Sequence, residues 1–274
     1  MTVGIVRSGN GTSIGVATTK TLISSASGLF VPADAKALLG VRVMHTIGTP
    51  TLAQTVNTQF DLESADIRNM SPYQVLATPI GSGIVATNLQ GFTGIPDTWK
   101  INAPLAGGEG LNIYGTPLVI NTAAPLAQAF LIVSNNVADI SGPQLHAKMG
   151  TLTAAPVTAA VNTDTAGTKY SFSGGRVITK LFGTYHPKTL TTGDYMTGEI
   201  KYSSSEFVDA IPQTLPLNPL SAGLGTSISM LMPGISQQDV FVPVKPGQVN
   251  VQDYFNFNGA LGSAGSFIDG LMYV

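Results

Sequence analysis

Two stretches of this chain share one cadence of apolar runs and turn residues, 140 positions apart. The first, Gly94 to Tyr114, reads as a strand, a Pro/Gly turn and a second strand; the other runs from Gly234 to Tyr254. Gly94 matches Gly234, Ile95 matches Ile235, Gly107 matches Gly247 and Tyr114 matches Tyr254. At the same offset Pro72 meets Pro212, Pro79 meets Pro219, Gly83 meets Gly223, Ala124 meets Ala264 and Leu131 meets Leu271. These are nine identities over the 63 positions from Pro72 to Ser134, and five of them are Gly or Pro. Such residues hold turns, because their backbone is free to take positive φ or is locked. A repeat that keeps its turns implies two similar β units in tandem. Leu131-Ile132-Val133 and Leu271-Met272-Tyr273 are matching last strands.

The rest of the chain keeps this rhythm. Turn signals recur every ~8–12 residues, the spacing of an all-β sandwich or barrel. Thr55 to Leu62 puts Val56, Thr58, Phe60 and Leu62 on one side and Thr55, Asn57, Gln59 and Asp61 on the other, the period of a half-buried strand. Further strands are expected at Val41–Thr46, Tyr73–Thr78, Gly83–Asn88, Leu118–Asn121 and Ala129–Ser134. In the second unit they are expected at Lys169–Ser173, Arg176–Thr184, Tyr195–Ser203, Thr226–Met232, Asp239–Val244, Val249–Phe257 and Ile268–Val274. Pro32 to Gly40 carries Pro near its start and Gly at its stop, which suits two turns of helix or a strand edge and loop. Glu63 to Met70 is a second short helix candidate. Pro212, Pro216 and Pro219 forbid a central strand there and predict a long crossing loop. The expected fold is all-β: two tandem eight-stranded jelly-roll barrels, residues 1–137 and 138–274. An immunoglobulin-type sandwich is shorter, about 100 residues, and needs a Cys/Trp core that is missing here.

Composition narrows the function. Charged residues are 10% of the chain, against ~25% in an average soluble domain. Leu111 to Ala138 and Ala210 to Gln238 carry no charge at all. A surface of Thr, Ser, Asn and apolar atoms suits burial against neighbouring copies more than solubility alone. Mean hydropathy is +0.26, yet the most apolar run, Leu215 to Ile235, is broken by Pro216, Pro219, Gly223, Gly225 and Pro233. No helix of ~20 apolar residues is therefore expected. The first residues lack a basic segment followed by a long apolar run, so no signal peptide is expected. Without cysteine there is no disulfide, thiolate zinc site or thiol nucleophile. Net charge is −2 and the basic residues are scattered, so direct nucleic-acid binding is not expected.

Each residue pattern that could carry chemistry has a plainer structural explanation. Gly11-Thr12-Ser13-Ile14-Gly15 matches G-x-S-x-G, but a nucleophile elbow needs a strand before it and a helix after it, and Val16-Ala17-Thr18-Thr19-Lys20 is not helix-like. Gly9, Gly11 and Gly15 have the wrong spacing for a dinucleotide loop. His45, His146 and His186 have no partner at metal-ligand spacing and read as strand or loop residues. Asp61 and Glu63 share a strand face with Asp66 close by, which could be a glycosidase pair; a solvated face, or pairing with Arg42 or Arg68 between subunits, is the plainer reading. Asn10 and Asn69 head glycosylation sequons that matter only on a secretory route. Trp99, the single Trp, is expected to anchor a core or an interface. No catalytic, cofactor-binding or metal-binding residue is assigned, no cofactor is expected, and the chain is not expected to be an enzyme.

The tandem units, the Pro72/Pro212 to Leu131/Leu271 correspondence and the Pro- and Gly-rich stretch from Pro212 to Gly225 resemble the small double-jelly-roll major capsid proteins of tailless icosahedral viruses with an internal membrane. The resemblance is one of architecture over the whole chain and brings no motif or catalytic residue with it. It implies a homotrimeric, pseudo-hexameric capsomer in a virion shell, such as that of a bacteriophage, assembled in the host cytoplasm. Neighbouring capsomers, minor capsid or penton proteins and an underlying membrane are the implied partners. The lack of long loop insertions implies small towers at most. Other readings are a single-barrel capsid protein, a tail-tube or spike subunit, or a secreted β-sandwich module for carbohydrate binding or adhesion.

Overall fold

The computed structural model describes residues 3–7, 12–15, 19–23, 29–47, 55–56, 58–63, 73–77, 80–81, 97–105, 110–117, 125–141, 146–152, 163–173, 177–187, 193–222, 230–231, 235–260 and 265–274. The chain divides into two compact units, one drawing on Met1–Thr49, Val56–Thr78 and Phe92–Ala147, the other on Lys148–Val274 with Pro50–Thr55 and Pro79–Gly91. In chain order the first twelve strands are β1 (Val3–Arg7), β2 (Thr12–Ser13), β3 (Thr21–Leu22), β4 (Leu29–Phe30), β5 (Ala37–Ile47), β6 (Thr55–Val56), β7 (Thr58–Glu63), β8 (Tyr73–Leu76), β9 (Ile80–Gly81), β10 (Asp97–Pro104), β11 (Gly110–Pro117) and β12 (Pro125–Ser134). A 3-10 turn, Val137–Asp139, follows. Then come β13 (His146–Leu152), β14 (Thr163–Ser173), β15 (Val177–Pro187), β16 (Tyr195–Ser203), β17 (Gln213–Ala222), β18 (Met230–Leu231), β19 (Ser236–Pro243), β20 (Gln248–Ala260) and β21 (Gly265–Tyr273).

The protein is all-β, built from antiparallel sheets in the manner of a β-sandwich. In the first unit one sheet runs β1-β12-β5-β10, with β2 also on β12, and the other runs β3-β11-β7-β8, with β4 also on β11. In the second the sheets run β13-β21-β15-β19 and β14-β20-β16-β17-β18. Alternation along the strands explains the layers. Burial on β11 and β12 changes at nearly every residue, so each strand shows one apolar face to the interior. Side chains then tie the sheets within each unit. Trp99 of β10 is buried and donates from Nε1 to the Leu76 carbonyl on β8 at 3.0 Å. Phe172, Leu181, Tyr185, Ile200, Val251, Phe255 and Leu271 belong to one core drawn from both sheets of the second unit.

The repeat in the sequence returns as a repeat of strand register. β5 and β15 begin and end at the same offset as the matched turn residues, Ala37 with Val177 and Ile47 with Pro187. Leu131 lies opposite Val41, and their counterparts Leu271 and Leu181 lie opposite each other in the second unit. Both pairings break register at the same place, between Gly40 and Leu38 in one and between Lys180 and Ile178 in the other. Phe60 faces Val75 as Ile200 faces Leu215, and Tyr114 faces Asp61 as Tyr254 faces Lys201. In β10 and β19 the offset is 139: Lys100 faces Gly40 and Asp239 faces Lys180. Gly94, Gly107 and Gly234, three of the matched turn residues, lie outside the described residues; Gly247 has φ +105.

Pro32 to Gly40 takes the second of its two expected forms, a strand edge and loop, and is not helical: a turn at Ala33 and Asp34 leads into β5, where Ala37 and Leu38 are buried. Gly40 is no helix stop, since a Cβ there would stand 2.7 Å from the Trp99 carbonyl of the neighbouring strand. Nor is the Pro212–Gly225 stretch a crossing loop over its described residues, because Gln213–Ala222 is β17. β17 pairs along β16 on one side, whereas β18 reaches only Ser221 and Ala222 on the other. Pro216 lies opposite Glu199 in a strand whose other side is largely free of ladder pairing among the described residues, and Pro219 falls in a break of register between Leu217 and Leu220. The Glu63–Met70 helix lies outside the described residues beyond Glu63, the last residue of β7. The Gly83–Asn88 and Leu118–Asn121 strands lie outside them too.

Candidate functional site

The residues singled out in the sequence do not converge. Ser13 is exposed on β2, opposite Leu126 of β12, and Gly15 beyond it has φ +82. Gly9 and Gly11 lie outside the described residues, as do Asn10, Asp66, Arg68 and Asn69. His45 is buried on β5 with Nδ1 2.8 Å from the Thr58 hydroxyl of β7, so it ties the two sheets of its unit. His146 opens β13 and His186 lies in β15. Among the described residues no three His, Asp or Glu side chains are grouped to hold a metal.

Asp61 and Glu63 do meet, and they meet a lysine. Lys20, just before β3, lies 3.5 Å from Asp61 Oδ2 and forms a close ion pair with Glu63. Its ammonium stands 4.5 Å over the Tyr114 ring, and Gln59 Nε2 donates to Asp61 Oδ1 at 2.8 Å. Against the opposing effect of partial burial, the bond to Glu63 and the charge of Asp61 raise the Lys20 pKa. One cation thus bridges both carboxylates. Arg42 donates from Nε to Thr98 at 3.1 Å within the chain.

A second acidic pair lies in the interior of the second unit. Asp253 of β20 and Asp269 of β21 are both 0% exposed. They belong to different sheets; Asp253 lies opposite Tyr202 of β16, whose hydroxyl reaches the carbonyl of Gly270, the neighbour of Asp269 in β21. Burial first, then the charge of Asp253 and a hydrogen bond with it, pushes the Asp269 carboxyl well above the usual carboxylate range. Burial, followed by the charge of Asp269, lifts the phenol of Tyr170 on β14 well above the ordinary value. The Tyr202 hydroxyl of β16 lies 3.2 Å from the Phe182 carbonyl and 3.3 Å from that of Gly270. The four side chains are a buried acidic knot bounded by apolar residues. A signal for it was present: Asp253 stands in phase with Val249, Val251, Phe255 and Phe257 on the buried side of β20.

No protein-family model matches the chain, and no curated protein matches it. Among solved structures it is similar to the major capsid protein P2 of bacteriophage PM2, at 9% identity and TM-score 0.37, over 100% of this chain and 98% of that one. It is similar to the infectious bursal disease virus VP2 subviral particle at 10% identity and TM-score 0.28, over 100% and 71%. A tandem CBM22 domain from Paenibacillus barcinonensis Xyn10C gives 8% identity and TM-score 0.24, over 99% and 91%.

Proposed function

We propose that this chain is a structural virion protein, a major capsid protein whose two jelly rolls, residues 1–137 and 138–274, form trimeric pseudo-hexameric capsomers. The observation that carries this reading is the shared strand plan. Counting eight principal strands per unit, both units lay them in the order first-eighth-third-sixth and second-seventh-fourth-fifth. That is the order of a jelly roll, and the common registers argue for duplication of one barrel. Neighbouring capsomers, minor capsid proteins and an underlying membrane are the partners this role calls for. It needs no cofactor and no catalytic residue.

The surface offers a place for contact between copies. Phe241 on the edge strand β19 is 77% exposed, and Val208 and Ile211 are exposed in the segment between β16 and β17. The Val208 N–H donates to the Pro243 carbonyl at 3.0 Å, which brings that segment against the end of β19. Exposed apolar residues gathered in this way mark contact surfaces. Sedimentation over a range of concentrations tests the reading. Trimers and larger shells are expected, and Phe241→Asp should weaken them while leaving the thermal midpoint unchanged. A monomer at every concentration would overturn it.

A further inference from the structure

We propose that Asp253 and Asp269 share a proton inside the second unit, which is stable while the pair holds that proton and loosens when alkali removes it. The two acids come from strands consecutive in the chain but from facing sheets, and both are fully buried. The equivalent positions in the first unit, at the offset of the repeat, are Ile113 and Ala129, both 0% exposed. The position of Tyr202 is there Leu62. The same barrel plan thus places apolar side chains in one unit at the positions where it places the acidic pair in the other. That contrast makes the pair a property of the second unit and not a requirement of the fold.

Two carboxylates side by side in an apolar interior repel, and neither is solvated; keeping one proton between them removes one charge and supplies a hydrogen bond. The titratable groups that bear on Asp269 are Asp253 from β20 and Tyr170 from β14; Tyr202 from β16 completes the knot, and Phe182 of β15 and Gly270 of β21 present carbonyls to it. Asp253, Tyr170 and Tyr202 all become negative when they ionise, so none of the three takes over the task of the proton. Asp269 holds its proton in the fold over a range where the unfolded chain has released it. The contribution to stability is therefore complete below the ordinary carboxyl range and falls as pH rises toward the folded value. Opening the pair opens the contact between the two sheets of the unit, because each acid belongs to a different sheet.

The full-length protein tests this by infrared spectroscopy and thermal unfolding from about pH 5 to about pH 9. A protonated-carboxyl stretch is expected in the folded wild type at neutral pH, and the thermal midpoint is expected to fall as pH rises. Asp269→Asn should flatten that fall. Asp253→Asn leaves Asp269 buried but without the neighbouring charge and hydrogen bond, so the band should persist and titrate at lower pH than in the wild type. Asp253→Ile with Asp269→Ala, the residues of the first unit, should remove the band and flatten the fall. Should these variants fail to fold, the wild-type spectrum decides alone, since absence of the band at neutral pH overturns the proposal. An unchanged pH dependence in the Asn variants overturns it as well. Stabilisation of the wild type by Ca2+ that Asp269→Asn abolishes would make the pair a cation site and also overturn the shared proton.

Discussion

Leu131 and Leu271 hold the same position in two separate sandwiches. Each is 0% exposed in the last strand of its unit, and they face Val41 and Leu181 at matching registers. Equivalent burial predicts equivalent cost. Leu131→Ala and Leu271→Ala should each lose about 2–5 kcal/mol, through lost transfer energy and the cavity left behind. Denaturant unfolding of the purified variants measures this. A loss confined to one of the two would mean that the units are not energetically alike.

Gly259 in β20 is required by close approach. A Cβ there would stand 2.3 Å from the Tyr195 carbonyl oxygen and 2.8 Å from the Met196 Cα, both backbone atoms of the paired strand β16. No rotamer change relieves a clash with backbone. Gly259→Ala should therefore destabilise by ~1–3 kcal/mol or more. Gly4→Ala serves as the control, because its nearest new neighbour is a Val133 methyl at 3.7 Å. Thermal unfolding should separate the two, with the larger loss for Gly259→Ala.

Glu206 predicts an acid-sensitive segment between β16 and β17. Hydrogen bonds from Ser204 at 2.6 Å and Ser205 at 2.8 Å hold its carboxyl down to about 2. A pKa below the unfolded value means that the contribution is present above the ordinary carboxyl range and is lost as pH falls toward about 2. The same residue's backbone carbonyl accepts from the Lys245 N–H at 2.8 Å, and Oε2 lies 3.4 Å from the Asn250 backbone nitrogen. Protection of the Lys245 and Asn250 amides, taken against the intrinsic exchange rate at each pH, should fall on acidification in the wild type. In Glu206→Gln that acid response should be absent.

The sequence by itself determined what depends on neighbours along the chain. Alternation marked β7 as a strand, because side chains of a pleated strand point to opposite sides in turn, and β16 and β20 lie where apolar runs between turn signals predicted strands. The repeat of turn residues announced two like units, since turns constrain the backbone more narrowly than core positions constrain side chains. The tertiary structure decided what depends on which strands become neighbours. Pro216 and Pro219 could enter a strand only because β17 lies beside β16 with a largely unpaired far side among the described strands, and edge position is a property of the sheet. Lys20 reached Asp61 and Glu63 because β11 brings β3 and β7 to its two sides. Asp253 and Asp269 each stood in phase with apolar neighbours, which marks an acid as buried, but only the packing of one sheet on the other made them a pair.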